Sequence, residues 1–159
     1  MQGILSFPAC LICLSIILSS ASSAEVGLKI QNCLYIEESA FKRIPEYFTG
    51  REFTGRNIYC RSNLRDRSGY YFVLKVINPS SEINADCYWV VDWVPPLDPN
   101  PKTKKIPLAE EDIRGREVFI GLTGEDWKGP LLKPLAWRIS LVSKKGVTLG
   151  QQQSFLWSK

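Results

Sequence analysis

Tyr70–Trp93, YYFVLKVINPSSEINADCYWVVDW, holds two apolar runs separated by a polar break. In the first run Phe72, Leu74 and Val76 fall on one side of an extended chain, and Tyr71, Val73, Lys75 and Ile77 on the other. Successive side chains of a strand point to opposite faces, so the Lys75 side is expected to meet water. The second run repeats the pattern, with Cys87, Trp89, Val91 and Trp93 on one face and Tyr88, Val90 and Asp92 on the other. Both runs are rich in β-branched and aromatic residues, which fit a pleated, half-buried surface. Asn78-Pro79-Ser80-Ser81 ends the first strand and Pro95-Pro96 the second, because proline has no amide to give to a ladder. The break between them fits a hairpin loop or a crossing from one sheet to another.

The same alternation recurs on both sides of this pair. Val26 to Ile36 reads as a strand with Leu28, Ile30, Leu34 and Ile36 on one face. Glu37 to Ile44 reads as a helical turn ended by Pro45, and a short strand is expected around Ile58. Leu97 to Lys105 is a proline- and lysine-rich loop or edge, a composition that keeps an edge strand from pairing with neighbours. Ala109 to Ile113 reads as a single helical turn. Glu117 to Thr123, the run Trp137 to Leu141, and Leu149 to Trp157 complete a set of seven or eight strands. No long segment has a helical period. The pattern predicts an all-β, antiparallel β-sandwich.

A tryptophan close to a cysteine on an inward face resembles the architecture of immunoglobulin-like domains. The Cys…Trp…Cys order of true immunoglobulin domains is missing, because Cys60 and Cys87 both precede Trp89. No family motif accompanies the architectural resemblance.

Residues 4–18 are almost all apolar and are followed by small residues up to Ala24. That is the form of a secretory signal peptide over residues 1–24, leaving residues 25–159 as one domain. No lysine or arginine precedes the apolar run. A secreted or periplasmic location is the expectation, with membrane contact only through export. Cys10 and Cys13 lie inside the apolar run, where a redox pair is out of place. Of the remaining Cys33, Cys60 and Cys87, export favours one disulfide. The inward faces assigned to Cys60 and Cys87 select that pair and leave Cys33 over.

The 159-residue chain has no histidine and a net charge of +4. Lack of histidine removes Ser-His-Asp and Cys-His catalysis and nearly all zinc sites. Ser39-x-x-Lys42 matches a pattern of penicillin-interacting enzymes but lacks its companion elements and reads as a surface turn. The acids Glu110, Glu111, Asp112, Glu125 and Asp126 are weighed as a hydrolytic pair against ordinary solvated loops, and the latter is preferred. No cofactor, metal or nucleic acid is implied.

Two features carry a binding hypothesis. Trp127, beside Glu125 and Asp126 in a glycine-flanked loop, either stacks on a sugar or partner protein or folds back to cap the sandwich. Arg51, Arg56, Arg61, Arg65 and Arg67, with Lys102, Lys104 and Lys105, form either a basic patch for an acidic polymer or a solvated, locally paired surface. The overall expectation is a non-catalytic binding or structural module that engages another exported protein, with a carbohydrate or acidic polymer as the alternative ligand.

Overall fold

The computed structural model describes residues 26–110 and 112–159. The expected signal peptide lies outside the described residues. The rest is mostly β: eight strands in two four-stranded sheets that pack as a sandwich. The strands are β1 (Gly27–Ile36), β2 (Ile58–Arg61), β3 (Gly69–Ile77), β4 (Tyr88–Val94), β5 (Lys102–Pro107), β6 (Glu117–Thr123), β7 (Ala136–Val142) and β8 (Thr148–Gln153). One sheet has the order β1-β3-β6-β2 and the other β5-β4-β7-β8. All ladders are antiparallel except β2 with β6. Two short helices, α1 (Glu38–Phe41) and α2 (Ile44–Thr49), precede β2 in the excursion between β1 and β3.

The two apolar runs therefore stand in different sheets, and the polar break is a crossing. Asn78 takes it out of β3 with a positive φ of 54°, a conformation that asparagine tolerates better than branched residues. Phe72, Leu74 and Val76 face Trp89, Val91 and Trp93 in one shared core, joined by Ile120, Leu122, Ile139 and Leu141. The opposite face of β3 is only partly wet. Lys75 is exposed, but Tyr71 and Val73 are buried. The excursion folds over that half of the sheet, where Phe41, Tyr59, Tyr71 and Phe119 form an aromatic cluster with centroids 4.8 to 6.5 Å apart. Gly121 makes room for it: a Cβ there would stand 2.5 Å from the Tyr71 ring.

Four expectations about the strands and turns are corrected, and a fifth about the cysteines. In β1 the pairing register shifts between Ile30 and Asn32. A β-bulge adds one unpaired residue and so exchanges the two faces beyond it. Leu28 and Ile30 face the core before the bulge, and Cys33 and Tyr35 pack against it after, in place of Leu34 and Ile36. Pro45 does not stop a helix but sits in the first turn of α2, where its missing amide is no loss. Of the turn expected over Ala109 to Ile113, the described residues Ala109, Glu110, Asp112 and Ile113 are not helical. The last strand ends at Gln153 and the chain finishes in a 3-10 turn, Phe155–Ser158.

The expected Cys60–Cys87 disulfide is absent, and Cys33, Cys60 and Cys87 are all free thiols. Cys60 and Cys87 are both buried, as their inward faces required. The geometry fails elsewhere. Strand β2 lies on the side of the sandwich where it approaches β5 rather than β4, and the backbone next to the Cys60 thiol is that of Ala109. The Cys87 sulfur turns into its own loop, 3.6 Å from the Glu82 carbonyl and 3.5 Å from the Asn84 amide. Burial pushes the Cys33 thiol up to about 11. A reducing agent is therefore expected to leave the melting temperature unchanged. Thiol titration should find Cys60 and Cys87 reactive only after unfolding; a reductant-sensitive melt would contradict the free thiols.

Candidate functional site

Strand ends put most loop chemistry at one end of the sandwich. Ile36, Gly69 and Thr123 lie side by side where β1 and β6 end and β3 begins. Val94 and Ala136 meet where β4 ends and β7 begins, and Lys102 and Gln153 mark the same level of β5 and β8. Trp127, just beyond β6, links the two sheets there. Its ring stacks on Tyr70 at a centroid distance of 5.0 Å, and it is only 6% exposed. It caps the core. A cleft of about 220 Å³ beside it is lined by Pro95, Pro96, Leu97, Asp98, Lys102, Glu125, Asp126, Lys128 and Leu132.

The acids of this cleft are spoken for. Asp126 pairs with Lys104 at 2.9 Å, Asp98 with Lys102 at 3.4 Å and Glu125 with Lys128 at 2.6 Å. Turn amide and side-chain donors of Asn100 hold the Asp98 carboxyl below the usual range. The other acids considered, Glu110 and Asp112, lie at the opposite end of the sandwich, where Glu110 binds Arg116. Glu111 lies outside the described residues. The two groups of carboxylates thus do not share a site. Among the described residues no group of three His, Cys, Asp or Glu side chains comes together to hold a metal.

The arginine set divides. Arg61 is buried, with its guanidinium doubly bound to Glu52 and its Nε donating to the Tyr71 hydroxyl at 3.1 Å. Its Cζ also lies 5.4 Å from the Phe41 ring centre and 5.3 Å from that of Tyr59. Arg67 reaches Glu46 at 2.7 Å and Glu52 at 3.6 Å. The Tyr71 hydroxyl in turn donates to the Arg67 carbonyl at 2.7 Å. Bidentate, charge-assisted bonds of this kind are the strong ones. The Arg61 contact holds the Glu52 carboxyl below its usual range against the cost of burial, and the Arg67 contact does the same for Glu46. Burial pushes the Tyr71 phenol up to about 12. Arg51, Arg56 and Arg65 remain exposed and enter no ion pair among the described residues.

One feature was missed in the sequence. Helix α2 is inverted. Its carboxylate Glu46 turns inward to Arg67, while Ile44, Tyr47 and Phe48 stand 75%, 76% and 85% exposed. Residues spaced by three and four share a helix face, and in a soluble protein an apolar face of this kind normally turns inward. A second exposed apolar set sits on the loops after β4, before β7 and after β8: Leu97, Leu131, Leu135, Phe155 and Leu156. Among the described residues no helix is long and apolar enough to cross a membrane. Compared with protein-family models, with curated proteins and with solved structures, the chain has no significant match to any of them.

Proposed function

We propose that the chain is an exported, non-catalytic module of immunoglobulin-like architecture that docks another protein on the loops after β4, before β7 and after β8. The strand orders support the architecture. Orders β1-β3-β6 and β5-β4-β7-β8 correspond to A-B-E and C′-C-F-G of that sandwich. Strand β2, parallel to β6, takes the edge where strand D would run antiparallel.

The observation that carries the docking reading is the second apolar set. Leu97, Leu131, Leu135, Phe155 and Leu156 lie by the ends of three neighbouring strands, and of the nearby lysines Lys102, Lys104 and Lys128 are tied to carboxylates while the exposed Lys133 is left for the rim. Protein interfaces place an apolar centre, poor in free charge, inside a polar rim. The test is capture from the native envelope or medium by the domain and by its Leu97→Asp/Leu131→Asp variant. Both side chains are exposed, so the variant keeps its melting temperature and loses at least tenfold in captured partner, as expected for interface anchors worth more than about 1.4 kcal/mol together. Equal capture by both proteins refutes the surface.

The cleft beside Trp127 supports a second reading, a glycan ligand held by Asp126 and Glu125. Its volume of about 220 Å³ is below the roughly 300–1,000 Å³ of most small-molecule sites. A glycan array with the domain and with Asp126→Asn decides it: silence across the array removes the reading.

A further inference from the structure

We infer that the excursion between β1 and β3 attaches the domain to an anionic bilayer surface, with the exposed face of α2 entering the interface and the arginines at its two ends meeting lipid phosphates. The inference does not depend on the protein-docking reading, because it concerns the other apolar set.

Three observations carry it. The first is the inverted helix: Ile44, Tyr47 and Phe48 form an apolar ridge on a helix with no buried residue of its own. A short apolar ridge with an aromatic content is what lies down in a headgroup region. The second is charge. Ion pairs within residues 37–68 consume Lys42, Arg61 and Arg67 against Glu38, Glu52 and Glu46. What remains is four arginines in no ion pair among the described residues, Arg43, Arg51, Arg56 and Arg65, against only Glu37 and Asp66. The third is placement. Arg43 is the residue just before α2 and Arg51 follows its Gly50 cap, so cations bracket the ridge. Arg51 also lines a cleft of about 350 Å³ with Tyr47 and Gly50, where Lys42 and Arg67 are paired with Glu38 and Glu46 and Arg51 is the cation left over. A negative bilayer surface satisfies the ridge and its arginine flanks together.

The excursion is also held firmly enough to present this ridge. The Arg61–Glu52–Arg67–Glu46 network and the Phe41 cluster fix it against the sheet. Insertion therefore requires no unfolding.

Vesicle flotation tests the inference on the chain from residue 25 onward. That form contains every strand and every core residue described above, and it lacks the apolar residues 4–18, which would bind lipid by themselves. Phosphatidylglycerol-containing vesicles are expected to float the domain and pure phosphatidylcholine vesicles are not. Raising salt weakens binding, since surface charges are screened over about 10 Å at 0.1 M. Arg43→Ala/Arg51→Ala lowers the partition coefficient roughly 30-fold, from about 1 kcal/mol per basic residue near the surface. Phe48→Asp lowers it at least as far, and Leu97→Asp/Leu131→Asp leaves it unchanged. All three variants alter exposed residues, and an unchanged melting temperature shows that each still folds. Failure to float with anionic vesicles overturns the inference, as does equal binding to both lipids. Retention on heparin with no flotation overturns it in favour of a soluble polyanion, and a concentration-dependent dimer that hides α2 overturns it in favour of a second copy.

Discussion

Glu52→Ala is expected to destabilise the domain by about 2–3 kcal/mol in urea unfolding, while the charge-free pair Glu52→Leu/Arg61→Met recovers most of the loss. The reason is desolvation. Removing one member of a buried ion pair leaves the other charged and unsolvated, at about 3–5 kcal/mol when burial is complete. The Arg61 side chain is almost wholly buried, whereas Glu52 keeps an open side, which lowers the figure. Acid should mimic the mutation. The Glu46 and Glu52 carboxyls titrate below their usual range because Arg67 and Arg61 bind their charged forms. A depressed folded value gives stability that is fully present above the unfolded value of about 4.3 and is lost as pH falls through the folded one. Stability of the native domain should therefore fall below about pH 4 more steeply than that of the Leu/Met pair. Parallel acid curves for the two would remove the network from the account.

The second large effect is at the centre of the sandwich. Trp89→Ala should cost about 4 kcal/mol, within the usual range for emptying a large aromatic site. Trp89 is fully buried between its ladder neighbours Ile106 on β5 and Leu141 on β7. Its indole N–H has no nitrogen or oxygen acceptor and lies beside the Cys60 thiol, a weak one. Trp89→Phe removes that underused donor and keeps most of the ring, so it should cost far less than the alanine change. A melting temperature that falls equally for Phe and Ala would mean that the donor, and not the volume, matters.

The sandwich was legible because alternation is local. Trp89, Val91 and Trp93 reveal their shared face within one strand, and each of them is buried. What the residues could not reveal depended on chain brought from a distance. Gln31 looks like any polar residue, yet an unpaired position there exchanges the faces of Cys33 and Leu34. Arg61 reads as a surface cation; it is buried because Glu52 and the Phe41 cluster close over it. Tyr47 and Phe48 lie beyond Pro45, where no helix was expected, and in α2 they and Ile44 stand exposed while Glu46 turns inward to Arg67. The two cysteines illustrate the same limit. Inwardness was readable from alternation, but which strand lies across from β2 was not.

Strand β2 has a single partner, β6, and the join is parallel. Asn63 at its exit is fastened to Thr123, sixty residues further along. Loop-closure entropy makes such remote joins late events in folding. The β2–β6 join should consequently close after the antiparallel ladders have formed and open before they do, the last part of the fold to be fastened and the first to yield. Hydrogen exchange at Tyr59 and Cys60 should then run ahead of exchange at Phe72 and Val91.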